Sequence, residues 1–293
     1  MARGEIPKSH RLTLLRVLLR ERGDLQSSEY KAMASQLRIS TSQIRRDLKE
    51  LEEAGVVRCR HGYTEYVPTA ERVVVKAIDP RSGFGEALEH HWEEKLAVAE
   101  RLVALLPVVG DDSEQTLYVG AGTTMSAFAL ALARSHRRIH VYTGSLPAVL
   151  VATQAPNLTV SVIGGGANKL SLRTEGEEYE RLIGHGFDVG AFSCMVMSTE
   201  GMFSDIVHDP TLRQRLMSSC RRVLVGIVGS KLAEHSSGQL ITSFERLAKQ
   251  VDWACVVTTP PRSAEGKRVL GSLQQKLKKS FPQVSNPLVI VGA

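Results

Sequence analysis

Short apolar runs alternate with helical patterns over the C-terminal two thirds of the chain, and this alternation constrains the fold most strongly. Strands interleaved with helices predict a mainly parallel sheet that is covered on both faces. We therefore expect residues 91–293 to form one α/β domain. The predicted strands are Thr116–Val119, Ile139–Thr143, Thr159–Ile163, Ala191–Met197, Arg222–Val228, Trp253–Thr258 and Leu288–Val291, and the predicted helices are Trp92–Leu106, Met125–Ala133 and Leu146–Thr153.

The length of 293 residues predicts two domains, and the positive charge is concentrated in the first. Residues 1–68 contain 13 Lys and Arg against 9 Asp and Glu, out of a net charge of +6 for the whole chain. A small basic domain suggests an anionic partner, with nucleic acid the first candidate. The alternative is a basic surface that contacts only solvent.

Several classes of protein are disfavoured by features that are missing from the sequence. No apolar run approaches the ~20 residues that span a bilayer, and no signal peptide is recognisable, so we expect a cytoplasmic protein without a membrane partner. The four cysteines are far apart, with no C-x-x-C pair. We therefore predict no disulfide framework, no metal and no cofactor.

Residues 1–67 have the element order of an α+β winged helix-turn-helix domain. Apolar spacing predicts a helix over residues 9–21, and Ser27 or Ser28 can cap a second helix. Residues 56–67 are predicted to form two short strands around a turn at Gly62. Residues 68–90 contain Pro and Gly without clear periodicity, and we interpret them as a linker with possible short structure.

The third helix of this domain is the most informative segment. Ser40 to Gln43 match a capping box, and Ile44, Leu48 and Leu51 share one buried face at positions i, i+4 and i+7. Hydroxyls at a helix N-terminus followed by arginines suit insertion into a major groove. An arginine pair alone usually marks a solvated face, but the three helices and the basic hairpin favour DNA. The predicted DNA contacts are Ser40, Thr41, Ser42, Gln43, Arg45, Arg46, Lys49, Arg58, Arg60 and His61.

The loop from Gly120 to Thr124 follows a predicted strand and precedes a predicted helix. Small residues, free amides and two hydroxyls in this place make a plausible phosphate cradle, and a tight turn without a ligand is the alternative. A dinucleotide fingerprint is disfavoured because Met125 stands at its third glycine and no acidic residue follows the strand ending at Thr143. No Gly-Lys-Ser/Thr follows, which excludes a P-loop.

The segment Ile39 to Gly55, with its I-R-R-D-L core and the following Arg60-His61-Gly62, resembles the recognition-helix and wing signatures of DeoR-type bacterial regulators. Tyr63 stands where a second wing glycine is usual. The resemblance continues through Gly122-Thr123-Thr124, Thr143-Gly144-Ser145, Gly164-Gly165, Phe187-Asp188 and Gly229-Ser230-Lys231. It implies a sensor domain similar to sugar-phosphate isomerases that binds a phosphorylated sugar or a related metabolite. The effector contacts that it implies are Gly120, Gly122, Thr123, Thr124, Ser145 and Lys231.

The pocket half of this resemblance is degenerate. Gly120 replaces a frequent acidic residue, Gly144 replaces a frequent asparagine, and Val228-Gly229 displace a usual aspartate. The main hypothesis is a ligand-responsive repressor that forms a homo-oligomer, because dimers read paired half-sites. The alternatives are an isomerase-like enzyme fused to a DNA-binding domain and a regulator without an effector.

Catalysis is not predicted from these residues. An isomerase needs a carboxylate base near the phosphate loop, and none lies next to Gly120–Thr124. Asp111, Asp112 and Glu114 precede the strand and would lie at its opposite end. The remaining carboxylates that are candidates in principle are Asp188, Glu200 and Asp205.

Overall fold

The computed structural model describes residues 7–37, 39–53, 56–66, 82–107, 115–135, 137–204 and 210–292. The chain divides into two compact units, residues 1–76 and 77–293. The predicted linker falls partly outside the described residues, but its last part contains a helix over Gly83–Glu89. Phe84 and Leu88 of this helix are buried. The second unit therefore begins before residue 91, the start predicted from sequence.

The first unit combines three α-helices with a three-stranded antiparallel sheet of order β1-β3-β2. Its elements are α1 (Lys8–Arg22), β1 (Asp24–Gln26), α2 (Tyr30–Leu37), α3 (Thr41–Glu53), β2 (Val57–Arg60) and β3 (Tyr63–Tyr66). This is the predicted winged helix-turn-helix order, with β1 as an additional strand against the hairpin. The predicted end of α3 at Gly55 lies outside the described residues.

The core of the first unit joins the apolar faces of all three helices. Leu15 and Leu19 of α1 are fully buried with Ile44 and Leu48 of α3. The helical spacing of Ile44, Leu48 and Leu51 thus gave the correct buried face. Val17 of α1 is apolar but 47% exposed, because that helix is buried along its Leu15–Leu19 side.

The second unit is built on a parallel seven-stranded sheet of order β15-β14-β12-β9-β4-β5-β6. Two small antiparallel sheets, β10-β11-β13 and β7-β8, accompany it. Its helices are α4 (Gly83–Glu89), α5 (Trp92–Ala104), α6 (Thr123–Arg134), α7 (Leu146–Ala152), α8 (Glu178–Ile183), α9 (Pro210–Ser218), α10 (Phe244–Ala248) and α11 (Ala264–Ser280). Its strands are β4 (Gln115–Val119), β5 (Ile139–Thr143), β6 (Leu158–Val162), β7 (Gly166–Asn168), β8 (Arg173–Glu175), β9 (Phe187–Phe192), β10 (Val196–Met197), β11 (Gly201–Ser204), β12 (Cys220–Ile227), β13 (Gln239–Ser243), β14 (Trp253–Thr258) and β15 (Leu288–Ile290).

The central strands are nearly continuous apolar runs because helices cover both faces of a parallel sheet. The sequence prediction of a mainly parallel α/β sheet is confirmed, and most strand bounds agree within two residues. The exception is the run predicted as Ala191–Met197, which divides into the end of β9 and the start of the separate strand β10.

The strand order reverses between β4 and β9. From β4 the chain builds β5 and β6 on one side, and it then returns to place β9, β12, β14 and β15 on the other. The loops that follow β4 and β9 therefore diverge and leave a crevice at the carboxyl ends of these strands, the usual ligand position in open α/β sheets. At the opposite end of the pair, the Asp188 carboxylate accepts hydrogen bonds from the Thr116 amide (3.0 Å) and hydroxyl (2.8 Å).

Membrane-spanning helices and clusters of metal-ligating side chains are both absent from the described residues. None of the described helices is long and apolar enough to cross a membrane. Among the same residues, no group of three or more His, Cys, Asp or Glu side chains is arranged to hold a metal ion.

Candidate functional site

The N-terminus of α3 is capped by Ser40, as predicted. The Ser40 hydroxyl accepts a hydrogen bond from the Gln43 amide at 3.1 Å. The reciprocal half of the capping box is not formed, because the Gln43 side chain points along the helix. Its Nε2 donates to Asp47 Oδ1 at 2.8 Å, and its Oε1 accepts from Arg46 Nη2 at 2.7 Å. In a capping box this Oε1 would accept from the Ser40 amide, and here the charged Arg46 guanidinium is its donor instead.

Asp47 links α3 to α1 through a buried ion pair. Arg11 donates to both carboxylate oxygens, Nε to Oδ2 at 2.9 Å and Nη2 to Oδ1 at 3.1 Å. Asp47 is 1% exposed and Arg11 is 8% exposed. Burial by itself raises the pKa of the Asp47 carboxyl, but the hydrogen bonds from Arg11 and Gln43 outweigh it and hold the pKa below its ordinary value. The pair fixes the orientation of α3 on α1.

The predicted contact residues on α3 differ in their surroundings. Ser42, Arg45, Arg46 and Lys49 are exposed, while Thr41 and Gln43 are half-buried. The side chains of Arg45 and Lys49 form no hydrogen bond or ion pair with another described residue. The structure thus presents one face of α3 with polar and cationic side chains next to its capped N-terminus, opposite the buried apolar face.

The predicted wing is a β-hairpin with Gly62 at its turn, where φ is +93°. His61 is exposed at this turn. Arg58 and Arg60 are half-buried, and both lie near Glu65 of β3: Arg58 Nη1 is 2.9 Å from Oε1 and Arg60 Nη2 is 3.9 Å from it. The carboxylate therefore partly neutralises the two wing arginines.

The crevice between the β4 and β9 loops contains a cavity of about 310 Å³. Ala121, Gly122, Thr123 and Thr124 line it from the β4 side, and residues 193–195 line it from the β9 side. Gly122 has a φ of +115°, which favours glycine, and it directly precedes α6. The first amides of a helix have no intrahelical acceptor, so the N-terminus of α6 presents donors to this cavity.

Three cationic side chains reach the same cavity, from Lys231, Arg173 and Arg213. Burial lowers the pKa of the Lys231 ammonium, and the neighbouring Arg213 acts in the same direction. The Lys231 ammonium forms no hydrogen bond or ion pair with another described residue. The described lining contains no Asp or Glu. Cationic groups, helix amides and hydroxyls arranged in this way are able to hold an anion, and Arg173 among them is also paired with Glu175 at 3.0 Å.

Sequence reasoning missed Arg173 and Arg213. They lie on β8 and α9, far along the chain from the Gly122 loop, and no local motif marks them. Only the folded arrangement brings these two residues to the N-terminus of α6.

Two effector contacts implied by the resemblance do not line the 310 Å³ cavity. Ser145 is 1% exposed, and its hydroxyl caps α7 by accepting from the Ala148 amide. Gly120 lines an adjacent cavity of about 250 Å³ instead, and its amide donates to the Ala191 carbonyl on β9. The three remaining loop residues, Gly122 to Thr124, line the 310 Å³ cavity together with Lys231.

Lys95 is a buried cation close to this site that sequence reasoning also missed. It is 3% exposed, and its ammonium donates to the carbonyls of Ala87, Leu88 and His90 at the end of α4. Burial and then the charge of Lys231 lower the pKa of Lys95 to about 8. Lys95 thus attaches α4, whose Phe84 and Ala87 line the cavity, to α5.

The depressed pKa of Lys95 predicts a pH-dependent stability of the second unit. Between about pH 8 and its unfolded value of 10.5, the unfolded lysine holds a proton that the folded one has lost, so this group makes the free energy of unfolding rise with pH. The full shift corresponds to about 3 kcal/mol. Urea unfolding followed by the fluorescence of Trp92 and Trp253, both in this unit, measures the effect. The Lys95→Met variant is expected to lose the rise, and parallel pH curves for the two proteins would contradict the assignment.

Comparisons with known proteins cover both units. The family model described as DeoR C terminal sensor domain matches residues 90–249, and the DeoR-like helix-turn-helix domain matches residues 11–69. The HTH-type transcriptional repressor CsqR of Escherichia coli is 31% identical over 165 residues, which is 56% of this chain and 56% of that protein. The lactose phosphotransferase system repressor of Staphylococcus epidermidis is 26% identical over 67% of this chain and 70% of its own.

A ribose 5-phosphate isomerase A of Methanocaldococcus jannaschii is similar in structure, with a TM-score of 0.36 and 16% identity over 49% of this chain and 56% of that one. The sensor-domain match alone extends over more than half of the 293 residues, and the helix-turn-helix match adds the first unit. The chain therefore belongs to the DeoR family of transcriptional regulators.

Proposed function

We propose that this protein is a sequence-specific DNA-binding repressor whose affinity for its operator is controlled by a phosphorylated sugar or a related metabolite. The observation that carries the DNA-binding half is α3. Its Ile44, Leu48 and Leu51 side chains are buried, and this orients the Ser42, Arg45 and Arg46 side chains away from the core. A helix in this position reads base edges in the major groove, and arginine pairs with guanine there.

The proposed DNA contacts form two groups. Ser40, Thr41 and Ser42 lie at the N-terminus of α3, where hydroxyls and amides meet phosphate oxygens, and Arg45, Arg46 and Lys49 follow along the helix. On the wing, exposed His61 and the Glu65-paired Arg58 and Arg60 would meet the phosphate backbone or the minor groove. Gln43 acts as a positioning residue in this scheme, because it holds Arg46 while bonding to Asp47.

The cavity at the β4–β9 crevice supports the effector half of the proposal. Gly122, Thr123, Thr124 and Lys231 would hold the phosphoryl group with help from Arg213 and Arg173. Lysine acts there as a point charge, and arginine offers a planar fork to phosphate oxygens. The similarity to a repressor named for the lactose phosphotransferase system is consistent with a ligand of this class. We further propose a homo-oligomer, so that two copies of α3 read paired half-sites.

The test is selection of binding sites from random duplexes by the purified protein at ~150 mM salt, since phosphate contacts make affinity steeply salt-dependent. We expect enrichment of a repeated or palindromic motif, and its release by one compound of a sugar-phosphate panel. Enrichment of a motif that no compound releases would support DNA binding and contradict control by a phosphorylated sugar. Absence of any enriched motif would contradict the repressor proposal.

An isomerase-like enzyme is the competing function, and the cavity argues against it. The described walls of the 310 Å³ cavity contain no carboxylate to act as a base, and burial raises the pKa of the Cys194 thiol there to about 11. Asp188 is engaged with Thr116 at the opposite end of the strands. Asp111, Asp112, Glu114 and Asp205 lie outside the described residues. Turnover of pentose or hexose phosphates by the purified protein would contradict the repressor-only proposal.

A further inference from the structure

A second cavity of about 250 Å³ lies next to the one assigned to the phosphoryl group. The two cavities have Ala121, Arg173 and Arg213 in common, so these residues form the partition between them. A ligand whose phosphoryl group contacts Arg213 from one side therefore has a second space directly within reach.

Half of the residues that line the second cavity are aromatic or aliphatic, and the others are glycines, Thr174 and charged residues. Tyr118 and Phe192 contribute neighbouring rings, with centroids 5.2 Å apart, and Leu212 and Leu216 of α9 contribute aliphatic surface. The carboxylate of Glu175 in this wall is paired with Arg173 at 3.0 Å. Arg173 and Arg213 line both cavities, but Lys231 lines only the first and Glu175 only the second. The charged lining residues therefore sum to +3 in the first cavity and +1 in the second, which suits a second phosphoryl group less well.

One polar group in this wall has no partner. Tyr118 is 6% exposed and lines the cavity, yet its hydroxyl forms no hydrogen bond with another described residue. The neighbouring Tyr179 differs, because its hydroxyl donates to the Thr174 carbonyl at 3.1 Å. Burial raises the pKa of Tyr118, so the hydroxyl keeps its proton and can donate. This hydroxyl is not fully enclosed by the protein, so in the wall of the cavity it is available to a ligand.

We propose that the second cavity binds the non-phosphate part of the effector, a hydroxylated body with an apolar face, and that the Tyr118 hydroxyl hydrogen-bonds to one of its oxygens. The inference rests on the proposed phosphate site and extends it. An apolar wall with a few placed polar groups is the usual composition of a small-molecule site. A sugar ring has this chemistry, since its C–H faces are apolar and its rim carries hydroxyls. The ligand is accordingly larger than a phosphorylated three-carbon compound.

The test compares ligands of increasing size by isothermal titration calorimetry. The probes are inorganic phosphate, glycerol 3-phosphate and a panel of pentose, hexose and disaccharide phosphates. We expect at least one sugar phosphate to bind the wild-type protein about 10-fold or more tightly than inorganic phosphate. Tyr118→Phe removes only the hydroxyl. It should weaken the binding of that sugar phosphate by about 3- to 10-fold and leave the affinity for inorganic phosphate within twofold of wild type.

Tyr142→Phe is the matched control, because Tyr142 lies on the adjacent strand β5 and lines neither cavity. It should leave every affinity unchanged. Sugar phosphates that bind no more tightly than inorganic phosphate, or that bind Tyr118→Phe as tightly as wild type, would overturn this inference alone. Failure of the wild-type protein to bind inorganic phosphate and every other probe would instead contradict the phosphate site, and the inference would fail with it.

Discussion

Replacing Arg45 and Arg46 together by alanine is expected to weaken binding to the selected operator by at least about 30-fold. Each good arginine–guanine pair contributes roughly 1–3 kcal/mol of discrimination, and 1.4 kcal/mol corresponds to a tenfold change. Both side chains are exposed, so the fold should be unaffected. The measurement is fluorescence anisotropy with the operator duplex and with a scrambled duplex, at one fixed salt concentration.

The matched control removes the same charge from another place. Lys267→Ala with Lys278→Ala takes two exposed cations from α11 in the second unit and leaves α3 intact. This variant should retain operator affinity within about threefold. The Arg45/Arg46 variant should lose its preference for the operator over the scrambled duplex, whereas loss of general phosphate contacts would weaken both duplexes equally. Operator affinity that survives the double change would show that α3 is not the recognition helix.

Asp47→Ala is expected to destabilise the first unit by about 3–5 kcal/mol, because it leaves the Arg11 guanidinium buried without its carboxylate. A domain of about 70 residues has a free energy of unfolding on the order of 5 kcal/mol, so much of the unit should unfold. DNA binding should fall with it. Hydrogen exchange of the α3 amides measures this loss directly, because the two tryptophans both lie in the second unit and report only on that unit.

A paired substitution separates the ion pair from general disruption. Arg11→Met with Asp47→Leu replaces both charges by apolar groups of similar size, and it should recover most of the lost stability. The pH dependence provides a second check. The folded pKa of Asp47 is depressed, so its stabilising contribution is present above the unfolded value and is lost as the pH falls through the folded one. Asp47→Asn should reduce this loss of stability at acid pH. An unchanged pH dependence of the free energy of unfolding would show that the ion pair contributes nothing to stability.

Helix α3 could be predicted from sequence because its determinants are local. Ser40 caps the helix three residues before the amide it accepts from, and the buried face follows from a spacing of four and three residues. The direction of the Gln43 side chain could not be predicted in this way. It depends on Asp47 being held in place by Arg11, 36 residues earlier in the chain.

The cavity was only half predictable for the same reason. The Gly122–Thr124 loop is marked by its position between a strand and a helix, so its place at the carboxyl end of β4 follows from the strand pattern. Arg173 and Arg213 belong to a short hairpin strand and a short helix with no distinctive pattern. Ser145 shows a further ambiguity, since a hydroxyl that follows a strand suits a helix cap as well as a ligand.

The reversal of strand order between β4 and β9 also determines how the second unit can fold. Strands β4, β5 and β6 pair with near neighbours in sequence, but β4 meets β9 only when the ends of a long loop close, with Thr116 and Asp188 72 residues apart. Closing such a loop is entropically costly, and non-local pairings of this kind slow folding. Both cavities are lined by residues from the β4 side and from the β9 side. A ligand that fits them therefore binds only the folded unit, in which β4 and β9 are paired. Such a ligand would stabilise the unit in proportion to its concentration over its Kd, and the metabolite that regulates the protein would then also raise the amount of folded protein in the cell.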